Sequence, residues 1–176
     1  MSILTNIDQL KLDLVLAAHR LAEPLGQLLS TEPSESSESE INLPNGHDLL
    51  LGELMMVALL FSSSDNEVHE TEIGLINEIS RAIQGASAQE INSTNFMQVY
   101  RKFVTDYPRI RLTLDQVPLS IHRLKELDKE HGTTHSKDAE LLFLDFASAT
   151  VRADGKVRER EKMALANFES VLFPHE

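Results

Sequence analysis

The sequence contains no cysteine and no tryptophan. Without thiols, disulfides, thiolate metal sites and a cysteine nucleophile are excluded. Such a chain suits a reducing compartment. Aromatic residues make up only 5%, so Leu, Ile, Val, Met and Ala must fill most of the core. Positive charge is also scarce: 16 Lys and Arg stand against 28 Asp and Glu, a net charge of -12. A surface that acidic repels phosphate backbones and anionic lipid, so neither nucleic acid nor a membrane surface is the expected partner. Divalent cations and basic protein surfaces are compatible with it.

Long apolar runs are missing too. The most apolar stretch, Leu49 to Phe61, is interrupted by Gly52 and Glu53. It falls short of the roughly 20 residues a bilayer requires. The first residues carry Asp8 and Asp13, where a secretion signal needs a basic start and an apolar run. A cytoplasmic protein is therefore expected. No G-x-S-x-G elbow and no Gly-rich phosphate loop occurs. No segment alternates apolar and polar residues convincingly, so no sheet is expected.

What is present is helical periodicity. Leu10, Leu14, Ala17, Leu21, Leu25 and Leu28 recur on one face and predict a helix over 7–29. Pro24 lies inside that pattern and predicts a kink or break near Ala22. Residues 30–47 are rich in Ser, Glu and Pro and predict a flexible acidic linker or loop; a partner-binding acidic tether is the alternative. Further helices are predicted over 48–63, 69–84, 95–105, 115–131, 136–152 and 158–172. The helices at 48–63 and 136–152 are apolar nearly all round, which places them at the centre of a bundle. The expected organisation is an N-terminal helix (1–29), the linker, and an all-α domain of residues 48–176.

The chain also repeats itself. A shift of 89 residues lays ALLFSSSDNEVHETEIGLINEI over ASATVRADGKVREREKMALANF. Asp65 then meets Asp154, Val68 meets Val157, Glu70 meets Glu159 and Glu72 meets Glu161. Each unit is a buried helix, a tight turn opened by Asp, and an amphipathic helix. Two such units predict a pseudo-two-fold bundle.

The spacing D-x-x-V-x-x-x-E has a local explanation. Asp can accept N–H bonds within the turn. Gly155 tolerates positive φ there. Val68 and Val157 can staple onto the first helical turn. Glu72 and Glu161 fall at about the third helical position, where a carboxylate can bond back to a free N–H. A second explanation is a divalent cation site. Asp65, Glu67, Glu70 and Glu72 lie within one turn and one helical turn, and hard cations want several oxygens at short range. Asp154 and Glu161 form a second, weaker candidate, because Lys156, Arg158, Arg160 and Lys162 surround them.

These residues resemble the TerB-like family, whose signature is an apolar helix ending in A-D-G-x-V before a helix with an early Glu. VRADGKVREREKM matches it through Ala153, Asp154, Gly155, Val157 and Glu161; SSSDNEVHETEI is a second copy without the Gly. The resemblance covers about residues 48–172. It implies an all-α bundle of roughly seven helices, a bacterial cytoplasmic setting linked to tellurite resistance and stress responses, and clustered acids proposed to bind metal. Three functions are therefore expected in order: a non-enzymatic interaction module with a protein partner, a homodimer being one form of it; a divalent-metal sensor or buffer; and an enzyme acting between the two halves.

Overall fold

The computed structural model describes residues 3–28, 42–62, 68–153 and 155–174. Among them lie seven α-helices and no strand: α1 (Ile3–Gly26), α2 (Gly46–Phe61), α3 (Glu70–Gln84), α4 (Phe96–Asp106), α5 (Leu119–His131), α6 (His135–Arg152) and α7 (Glu159–Leu172). A single 3₁₀ turn, Gly85–Ser87, follows α3. The described residues thus form an all-α bundle of seven helices. None of the described helices is long and apolar enough to cross a membrane.

The two helices without a polar face form the centre. α2 buries Leu49, Leu50, Leu54, Met55, Met56, Val57 and Ala58; α6 buries Ala139, Leu142, Phe143, Phe146 and Ala147. They pack on each other, and α3, α5, α1 and α7 surround them. Each fully buried Leu or Phe contributes about 1.5–3 kcal/mol of transfer free energy. Gly52 permits one close approach: a Cβ there would lie 2.2 Å from the Phe103 ring, so the ring on α4 would have to shift.

The N-terminal helix is part of this core. α1 packs on both α3 and α6, burying Leu14, Ala17, Ala18, Leu21 and Leu25. It runs antiparallel to α6, with Arg20 bonded to Asp138 at 3.1 Å near one end. Nearer the other, Asp13 faces Asp145; burial, and then that like charge, push the Asp145 carboxyl up. The break expected near Ala22 does not occur. α1 continues to Gly26 with Pro24 in its final turn, where the missing N–H costs one bond rather than a helix. Most of the expected linker, residues 30–41, lies outside the described residues, as does position 29 at the end of the predicted first helix. The linker's end is packed: Leu43 and Pro44 are buried, and the Asn45 side chain accepts the Asp48 N–H at 2.9 Å to cap α2.

α5 begins four residues later than predicted. Pro118, extended at φ -53° and ψ 142°, stands at its N-cap. A carboxylate from the preceding helix caps α6. Asp128 accepts the His135 and Ser136 N–H groups at 2.8 Å and the Thr133 hydroxyl at 2.6 Å. Burial pushes Asp128 up, but bonds from Thr133, Ser136 and His135 outweigh it and hold the carboxyl below its ordinary range.

Candidate functional site: the paired turns and their two cavities

Corresponding residues of the two repeats do the same work. Glu72 is the third residue of α3 and accepts the N–H of His69, the residue before that helix, at 3.1 Å. Glu161 is the third residue of α7 and accepts the N–H of Arg158 at 2.8 Å. Both carboxylates thus satisfy a donor that the helix start leaves free, beside the positive end of the helix dipole. Gly155 has φ 73°, the left-handed conformation expected of it.

Of the six residues put forward as cation ligands, Asp65, Glu67 and Asp154 lie outside the described residues. Glu72 is buried and Glu161 half-buried, each turned back on its own helix; Glu70 is exposed. Among the described residues no three His, Asp or Glu side chains come together as a metal would need.

The helix ends of the two repeats meet crosswise. The end of α2 lies beside the start of α7, with Phe61 set edge-on against Phe168 at 5.9 Å. The end of α6 lies beside the start of α3. A cavity opens at each junction, about 230 Å³ at the α3–α6 junction and about 290 Å³ at the α7–α2 junction. The same 89-residue shift relates their walls: Thr71 corresponds to Arg160, Glu72 to Glu161, Leu75 to Ala164, and Ala149 to Leu60.

The cavities differ in what covers them. α1 lies over the first, contributing Leu10 and Lys11, and Lys11 pairs with Glu78 of α3 at 3.0 Å. Among the described residues, the second has only Leu114, from the α4–α5 connection, in the corresponding place. α5 has 13 residues against 24 in α1 and packs on α2 and α6 rather than along α7. The consequence shows in burial. α3 buries Ile73, Leu75, Ile76, Ile79 and Ile83, whereas α7 buries only Phe168 and Leu172. Val68 packs on the core while its counterpart Val157 is 40% exposed. Met163, the counterpart of Gly74, is 67% exposed, and Leu60, which lines the second cavity, is 39% exposed.

The rim of the second cavity is basic. Residues 156–162 carry four Lys or Arg and two acids, in a chain of net charge -12, whereas Arg152 lines the first cavity. Both of those acids are engaged: Glu159 with Lys162 at 2.8 Å and Glu161 with the Arg158 N–H. Arg158 and Arg160 are exposed beside the opening.

Sequence reasoning missed the most deeply buried carboxylate among the described residues. Glu53, in the middle of α2, is only 1% exposed. It accepts the N–H of Leu119 at 2.5 Å, the N–H of Ser120 at 3.1 Å, and the Ser120 hydroxyl, capping α5 from another helix. Burial pushes its carboxyl up to about 7 against the lowering effect of the Ser120 and Leu119 donors. The only signal in the sequence was a single acid inside an otherwise apolar helix.

No known family, curated protein or solved structure matches the chain. The TerB-like likeness rests on the turn residues themselves.

Proposed function

We propose that the protein is a non-enzymatic interaction module that holds a protein partner along the open side of α7, in a cytoplasmic stress-response assembly of the kind the TerB-like resemblance implies. One observation carries this reading. Two cavities built from corresponding residues differ in cover: α1 lies over the first, and among the described residues no helix lies over the second, which Leu60, Arg158 and Arg160 line. Leu60 lines that cavity, and Val157 and Met163, next in sequence to its lining residues Arg158 and Ala164, are exposed. Apolar positions rimmed by charge are the usual makeup of a docking patch. The capping roles of Glu72 and Glu161 support the same reading, since they give those acids a structural task.

Photo-crosslinking in native cells tests it. A benzophenone amino acid at position 163 should give a discrete adduct, and the same group at Met97, exposed on α4, should not. Loss of the adduct in a correctly folded Leu60→Glu variant would tie it to the groove. No adduct at position 163, or the same adducts at both positions, would reject the reading.

A further inference from the structure

We infer that the partner segment that fills the α2–α7 groove is an acidic amphipathic helix, seated on α7 much as α1 is seated on α3. The inference rests on the reading above that this face is a docking site, and it adds the occupant's shape and charge.

The shape follows from the covered cavity. There the cover is a helix, with Leu10 at the opening and its apolar stripe continuing through Leu14, Ala17, Leu21 and Leu25 into the core. The open cavity has the same plan. Ala164 stands where Leu75 stands, Leu60 where Ala149 stands, and Glu161 where Glu72 stands. A helix with apolar residues at i, i+3, i+4 and i+7 therefore fits it, the helix-in-groove mode of recognition.

The charge follows from the rim. On the covered side the helix brings a cation, Lys11, to meet the carboxylate of Glu78. On the open side the counterpart of Glu78 is the neutral Asn167, and the counterparts of His69 and Thr71 are Arg158 and Arg160. A basic occupant would meet exposed guanidinium groups of its own sign. An occupant with Glu or Asp beside its apolar stripe pairs with them. Charge complementarity of this kind sets the choice of partner and the rate of association more than the affinity itself.

The test uses the whole chain with its methionine methyl groups ¹³C-labelled. Two synthetic 18-residue amphipathic helices serve as probes, both with a Leu stripe, one flanked by Glu and one by Lys. The Glu-flanked peptide should move the Met163 methyl resonance and leave Met97 in place. It should bind about ten-fold more tightly than the Lys-flanked peptide, as expected if the two Arg residues each add a modest exposed pair. Arg158→Glu with Arg160→Glu should reverse that order; Glu near the start of α7 suits the helix dipole, so the double variant should keep its fold. Equal or tighter binding of the Lys-flanked peptide at Met163 would overturn the acidic partner and leave the docking face standing. If neither peptide moves Met163 at millimolar concentration, the helical occupant is overturned, and the crosslinking above decides separately whether the face docks anything.

Discussion

Replacing Glu53 with glutamine keeps the outline of a buried side chain and deletes its titration. In the folded protein burial raises the Glu53 carboxyl from 4.5 to about 7. In the unfolded chain it titrates at its ordinary value. Between those two values the native state holds a proton that the unfolded state has released, so stability falls as pH rises. The contribution is fully present below pH 4.5 and is lost by just above pH 7. Its size is about 3 kcal/mol, at about 1.4 kcal/mol for each unit of pKa. Other acids titrate in wild type and variant alike and cancel in the difference between them. Glutamine adds a cost that does not vary with pH, because its NH₂ group must face either the Leu119 or the Ser120 N–H. Urea unfolding of both proteins across this pH range gives the difference curve. Wild type should lose about 3 kcal/mol relative to Glu53→Gln between pH 4.5 and about 8. A flat difference, or one that moves in favour of wild type at high pH, would refute the buried-carboxylate argument.

Ser120→Ala removes a donor that lowers the Glu53 pKa, so the midpoint of that difference curve should move to higher pH, as measured by the same urea series. Gly52→Ala places a Cβ 2.2 Å from the Phe103 ring and should destabilise by about 1–3 kcal/mol through overpacking; a stability equal to wild type would show that α4 moves aside freely. Asn77 holds Ile91 by both its backbone N–H (2.8 Å) and its carbonyl (2.6 Å). Asn77→Ala should cost about 2–3 kcal/mol and strip hydrogen-exchange protection from the Ile91 amide, since two buried backbone groups lose their partner. Glu161→Ala removes the return bond to Arg158 and should lower stability by about 0.5–1 kcal/mol in thermal melts.

What the sequence revealed was local. Glu72 and Glu161 could be placed as capping groups because the donor each satisfies is three residues away. α2 and α6 announced their central position through apolar residues on every side. The start of α5 was misplaced because the group that caps it, Glu53, is 66 residues earlier in the chain than Leu119. The burial of Leu43 and Pro44 was hidden for a similar reason, since polar neighbours masked two positions that pack only once the bundle has formed. The unequal cover of the two cavities was hidden as well. Nothing in the repeat itself tells that α1 reaches across to α3 while α5 stops short of α7.

The antiparallel seam of α1 and α6 has a consequence for biosynthesis. Arg20 and Asp138 are 118 residues apart, so α1 leaves the ribosome well before the α6 residue it pairs with. At typical elongation rates that interval is on the order of ten seconds. Until α6 emerges, the apolar stripe of α1 lacks one of its two main packing partners and has only α2, α3 and α5 to lie against.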